Sequence, residues 1–323
     1  MTRNKKILLL AFGLSISIVT SYSQDLPIYN HYFSNPFFYN PSFAKSKQAE
    51  LNLLYRQQWT GLEGAPKFSY LTLSAPISKR MGFGLNIYNN KRGAITSTSA
   101  QVALSYKVQL GDLTSLSFGF SAGVGRNALD MNQVDGNDPV IARLLSRSFY
   151  LEGQAGFNFR HQNLIVAFSM PQVFDQAIVD SNDLQKVGVN PFRATISSIG
   201  YKFQLGGSLS FQPLLMYKLN KSNSQLEGYG IFHIKDTFWL GGSYRQNYSM
   251  GALTGFQVGG IMQIGYSYEF AASQIAELNF NTHEFHVSLK LGKPSANDVK
   301  PNPNKSKSDP SQRKQAKKNA RRF

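Results

Sequence analysis

The chain has 323 residues, of which 42% are hydrophobic, 13% aromatic and only 16% charged, against about 25% charged in ordinary soluble domains. That mix excludes a disordered chain, and the length excludes a small cross-linked scaffold. The net charge of +16 suggests a nucleic-acid partner until its location is read: ten Lys and Arg stand against Asp298 and Asp309 between residues 293 and 323. No Cys occurs anywhere, which excludes disulfides, thiol chemistry and lipid attachment at a lipobox cysteine.

Taken in order, residues 1–23 carry Arg3, Lys5 and Lys6, then the apolar run Ile7 to Val19, then Ser21-Tyr22-Ser23. This is the pattern of an export signal cleaved before Gln24, and the run is too short and too rich in Ser and Thr for a membrane anchor. Residues 24–47 form an aromatic and Pro-rich segment, Asn35-Pro36-Phe37-Phe38-Tyr39-Asn40-Pro41-Ser42-Phe43-Ala44 at its centre. It is too apolar to lie in water, so it is expected to pack inside the following domain as a plug or along its periplasmic rim.

From residue 48 to 292 period-two alternation replaces any helical period. Leu116, Phe118, Phe120, Ala122 and Val124 alternate with Ser117, Gly119, Ser121, Gly123 and Gly125, placing a greasy face against a wet one. Turn signals divide the stretch into fourteen strands, near 48–58, 66–75, 81–90, 95–109, 114–126, 148–160, 162–170, 192–204, 208–219, 224–235, 237–247, 250–258, 261–271 and 282–292. Tight turns alternate with long loops, the longest at Asn127 to Arg147, Pro171 to Pro191 and Ser273 to Asn281. An all-β chain with an even number of strands, turns at one end and loops at the other predicts an antiparallel outer-membrane β-barrel. Aromatic clusters at Phe37-Phe38-Tyr39, Tyr55 with Trp59, Phe238-Trp239 and Tyr266 with Tyr268 are read as its interfacial girdles. Residues 293–323, with hardly an apolar side chain, read as a disordered basic tail in the periplasm.

Catalytic patterns are absent. No G-x-S-x-G elbow occurs, and the Gly119, Gly123, Gly125 series lacks both the spacing and the helix of a dinucleotide site. In Thr282-His283-Glu284-Phe285-His286 the histidines are three apart on a predicted strand, so they point to opposite faces and cannot share a metal. The sequence therefore predicts no enzyme, no cofactor and no metal, and an exported chain has no nucleic-acid partner.

Two segments and the C-terminal end of the barrel carry a resemblance. Asn40-Pro41-Ser42 precedes the first strand; Gln57-Gln58-Trp59-Thr60-Gly61-Leu62-Glu63-Gly64-Ala65-Pro66 links the first two; Tyr266-Ser267-Tyr268-Glu269 and His283-Glu284 stand at the end. Together they resemble the PorP/SprF family of type IX secretion outer-membrane proteins of the Bacteroidetes. Ser42 stands where that family commonly has Ala, and Glu269 where Asp is common. The resemblance spans Gln24 to Gly292 and implies a role in delivering or anchoring a secreted surface protein, such as an adhesin with a C-terminal sorting domain. It also implies contact with the periplasmic ring and outer-membrane translocon of that machine, and with outer-membrane lipid. Asn40, Pro41, Trp59, Gly61, Gly64, Ala65, Pro66, Tyr266, Tyr268, His283 and Glu284 are the candidate interaction residues. Read physically, Gly61 and Gly64 permit left-handed turns, Pro66 fixes the start of the next strand, and Trp59 anchors the loop at the membrane interface or in the barrel mouth. The alternative is a diffusion porin with Gln101, Lys107, Glu152, Gln154 and Arg160 lining a water channel.

Overall fold

Alternation of large apolar with small or polar residues over ten-residue stretches leaves this chain two faces that must see different solvents, and closure of the sheet supplies them. The computed structural model describes residues 29–133, 149–175, 188–220, 223–271 and 281–292; the expected signal segment, the basic tail and most of the three long loops lie outside them.

The wall begins with β1 (Ala49–Thr60), β2 (Lys67–Pro76), β3 (Met81–Arg92), β4 (Ile95–Gly111), β5 (Thr114–Leu129), β6 (Phe149–His161) and β7 (Leu164–Met170). After a two-residue pair, β8 (Phe174–Asp175) with β9 (Gly188–Val189), it continues through β10 (Ala194–Tyr201) and β11 (Phe203–Gly206). It finishes with β12 (Leu209–Asn220), β13 (Asn223–Ile234), β14 (Phe238–Arg245), β15 (Ser249–Val258), β16 (Met262–Ala271) and β17 (Asn281–Leu291). Each strand pairs antiparallel with its sequence neighbour, β10 with β12 across Ala194↔Asn220, and β1 with β17 across Ala49↔Leu291. With β10 and β11 counted as one strand broken at Lys202, this is a closed barrel of fourteen strands. Closure leaves no open edge. The β8–β9 pair, inside the predicted loop after residue 170, carries no alternation by which a sequence could reveal it.

Side chains confirm the two faces. Val102, Leu104, Phe118, Phe120 and Val124 lie on the outside, each about half exposed, while Gln101, Ser105, Ser117 and Ser121 are buried in the interior. That is the inverse of a water-soluble protein and suits a lipid surround. Among the described residues no helix is long and apolar enough to cross a membrane; the strands do the crossing.

Two of the predicted girdle clusters are not girdles. Trp239 is 3% exposed and packs in the interior beside Phe33, and Phe37, Phe38 and Tyr39 are equally buried there. At Phe238-Trp239 the alternation sends only Phe238 outward. Tyr55 lies on the outer face as expected, 43% exposed.

The interior is filled by the segment that precedes β1. Tyr29 to Ala44 forms three single-turn 3-10 helices, His31–Phe33, Pro36–Phe38 and Pro41–Phe43. Pro36 and Pro41 each occupy the first helical position, where a missing N–H costs nothing. Tyr29, Tyr32, Phe38 and Tyr39 form the core with inward Leu54, Phe68, Tyr70, Ile196, Met216 and Tyr229 from β1, β2, β10, β12 and β13. Tyr29 stacks on Tyr39 at 5.0 Å and Phe38 on Tyr70 at 5.0 Å.

Candidate functional site: the plugged lumen

Three carboxylates and three cations line one side of the lumen, contributed by six strands. Arg56 on β1 reaches both Glu269 on β16, at 3.0 Å, and Glu284 on β17, at 3.1 Å. Arg245 at the end of β14 pairs with the same Glu269 at 3.1 Å and with Glu227 on β13, also at 3.1 Å. Lys218 on β12 pairs with Glu227 at 2.8 Å and lies 5.1 Å from the Tyr39 ring. Arg56 and Glu284 are fully buried, and Glu227, Glu269 and Arg245 nearly so. Such charges are tolerated away from water only when neutralised and hydrogen-bonded, which this alternating chain achieves.

The chain of charges is also the socket for the plug. Both oxygens of Glu284 accept the backbone N–H of Asn30 at 2.9 Å; one also accepts the N–H of His31 at 3.0 Å and sits 2.5 Å from His31 Nδ1. Asn30 donates its side-chain amide to Glu269 at 2.8 Å and to Ser267 at 3.2 Å, and its carbonyl oxygen receives Arg245 at 3.3 Å. His31 stacks on His286 at 5.1 Å and meets the edge of Trp239 at 5.6 Å. Gly265 leaves room for it, since a Cβ there would lie 2.5 Å from His31 Nε2.

The opposite wall holds the other end of the plug through neutral groups. Asn40 accepts the N–H and hydroxyl of Ser42 at 3.0 and 2.7 Å, capping the third 3-10 turn, and donates to the carbonyls of Phe157 and Phe168 at 3.2 and 3.1 Å. Asn158 donates to Ser42 at 2.8 Å, and Asn86 and Gln154 both donate to the carbonyl of Phe38 at 3.2 Å. Gly119 is required here: a Cβ would stand 2.2 Å from the backbone of Pro41 and Ser42. Beside this wall Glu152 accepts from Tyr88, Ser99 and, at 2.6 Å, Gln101.

The predicted residues fall into three places. Asn40, Pro41 and Glu284 belong to the plug and its socket. Trp59 stands near the end of β1, at a register shift, with a left-handed φ of 47°, and Gly61, Gly64, Ala65 and Pro66 lie in the β1–β2 loop, where Gly61 and Gly64 have φ of 102° and 72°. Trp59 is half-buried, its N–H 3.4 Å from Thr282 Oγ1; Gly64 accepts the N–H of Gly93 at 3.2 Å, tying this loop to the β3–β4 turn. Tyr266, Tyr268 and His283 stand on the outer face, with Tyr266 Oη 2.7 Å from His283 Nδ1. His283 and His286 do lie on opposite faces, and among the described residues no group of three or more His, Asp or Glu is placed to hold a metal. In the β14–β15 turn the Tyr248 hydroxyl accepts from the Gln58 amide at 2.8 Å, and burial raises its pKa.

Sequence reasoning passed over Asn30, Arg56, Lys218, Glu227 and Arg245. Their signal is charge at inward positions of otherwise apolar strands, for example Arg56 two residues beyond Leu54, which alternation locates without naming a partner.

Residues 21–289 match the family described as type IX secretion system membrane protein PorP/SprF. Among solved structures, the outer membrane protein Omp33 of Acinetobacter baumannii is similar at 9% identity and a TM-score of 0.44, covering 76% of this chain and 98% of its own. The CymD monoaromatic hydrocarbon channel is similar at 10% identity and a TM-score of 0.43, covering 83% and 94%. The outer membrane phospholipase A of Escherichia coli is similar at 12% identity and a TM-score of 0.36, covering 75% and 92%. No curated protein matches the chain.

Proposed function

The chain belongs to the PorP/SprF family of type IX secretion system membrane proteins, and from that premise we propose that it assists the delivery or anchoring of a secreted surface protein, an adhesin with a C-terminal sorting domain, at the outer membrane. It acts by binding and not by catalysis, and its partners are the secreted protein and the periplasmic and outer-membrane components of the secretion machine. The long loops face outward and both chain ends face the periplasm.

The observation that carries this reading is the filled lumen. A diffusion porin needs a continuous wet path bordered by polar side chains. Here Gln154 is spent on the plug backbone, Gln101 on Glu152 and Ser121, and Arg56 on two carboxylates that grip Asn30 and His31. A barrel closed by its own N-terminal segment is suited to presenting surfaces to proteins.

Two measurements test the proposal. Purification of the tagged full chain from native outer membrane should recover secretion components and the secreted protein, and the purified chain in planar bilayers should show no steady conductance. Ohmic channels of porin size together with an absence of protein partners would replace this reading with the porin.

A further inference from the structure

We propose that the outer face of β1–β5 carries a specific site for a phosphorylated glycolipid of the outer leaflet, with its phosphate on Lys67, Lys91 and Arg126 and an acyl chain in the groove beneath. The leaflet follows from the orientation given above; the site itself rests on what the strand registers place together.

Three adjacent cross-strand rows define it. One runs Phe285, Tyr55, Ser69, Asn89, Thr98 and Arg126, each opposite the next. The row nearer the barrel middle runs Val287, Leu53, Leu71, Ile87, Ala100 and Val124, wholly apolar. The row nearer the loops contains Lys67 directly opposite Lys91. Where bulky Tyr55 and Phe285 give way to Ser69, Asn89 and Thr98, the outer surface sinks into a groove of about 430 Å³ floored by Leu53, Leu71 and Ile87.

Two features of this patch point to a phosphorylated lipid. First, like charges at directly opposed positions destabilise a strand pair, yet Lys67 and Lys91 share one face at one register. Among the described residues none of Lys67, Lys91 and Arg126 is paired with a carboxylate; Arg126 only covers the Phe149 ring, at 5.6 Å. An anion bound between these cations removes the repulsion. Second, the row below the two lysines is polar, with Asn89 donating to Thr98 at 2.8 Å and Arg126 opposite Thr98, at the depth where sugar hydroxyls sit between charged groups and acyl chains. From the loops inward, Lys67 and Lys91, then a polar row that ends in Arg126, then an apolar groove follow the same order as phosphate, sugar and chain in such a lipid.

The experiment uses the delipidated full chain in detergent, native mass spectrometry, and three probes: lipid A, enzymatically dephosphorylated lipid A and phosphatidylglycerol. Wild type should retain one lipid A per barrel, and at least tenfold less of the other two. The triple variant Lys67→Gln, Lys91→Gln, Arg126→Gln should lose lipid A retention at least tenfold, whereas Lys235→Gln, in the turn at the opposite end, should match wild type. Ser69→Phe keeps every charge and fills the groove; it should also lose retention, and it serves if the triple variant does not fold by heat-modifiability. Equal retention of lipid A by wild type and by a folded groove or charge variant overturns the site, as does phosphatidylglycerol held as well as lipid A. None of these readings depends on secretion.

Discussion

Glu284→Ala should release the plug while leaving the barrel closed. Glu284 accepts the N–H groups of Asn30 and His31, the His31 ring and the Arg56 guanidinium, at 2.5–3.1 Å. Removing it strands these donors in a site that water does not reach and leaves the lumen with one cation in excess. Breaking a buried ion pair by deleting one partner costs about 3–5 kcal/mol, equivalent to roughly two to three and a half decades in an equilibrium constant at about 1.4 kcal/mol per decade. The cost falls on the plug, because every backbone bond of the wall survives the substitution. In planar bilayers the variant should therefore conduct, in bursts or continuously, where wild type is silent. Added protease should cut the segment before β1 while the barrel stays heat-modifiable. Glu284→Gln, which keeps one acceptor and the volume, should fall between the two. A Glu284→Ala barrel as silent and as protected as wild type would show that the charge chain does not hold the plug.

Gly119→Ala should act on the same equilibrium from the opposite wall, since its Cβ would meet the plug backbone at 2.2 Å; protease sensitivity of the segment reports it, and Gly111→Ala, with open space around it, is the control. Leu104→Lys, on the outer face, should cost about 2–4 kcal/mol near the membrane midplane, read as loss of folded, heat-modifiable protein. Cysteines at Asn137 and Asn182, in a chain with none of its own, should label on intact cells, and labelling only after lysis would invert the orientation. Deleting the residues after Lys293 should leave the barrel folded but weaken recovery of periplasmic partners at low salt more than at high salt, since exposed electrostatic contacts are screened within about 8–10 Å.

The wall was legible in the sequence because lipid on one side and a packed lumen on the other impose a period of two, and Leu116 to Gly125 states it without exception. The break at Lys202 and the β8–β9 pair left no such mark, being too short for a period. Inward apolar residues such as Leu54, Ile196 and Met216 blur the alternation, and the reason is the aromatic plug, which gives part of the inner face an apolar neighbour. The same fact misled the girdle reading: Trp239 and Phe37 to Tyr39 are aromatic for packing, and only strand parity separates them from Tyr55. Of the socket, Glu284 and Asn40 were visible within the family-like motifs. Arg56 and Arg245 were not, because charge pairing between β1, β13, β14, β16 and β17 depends on register between strands far apart in sequence.

Arg56 stands on the first strand of the wall and both its carboxylates on the last two, so the ion pairs cross the line at which the sheet closes on itself. Asn30 and Glu284 are separated by 254 residues, so the two ends of the described chain meet at the seam where β17 pairs with β1. In the closed barrel the carboxylates of its last strands and the aromatic segment before its first strand are buried by one another, so a single contact set seals both the seam and the lumen.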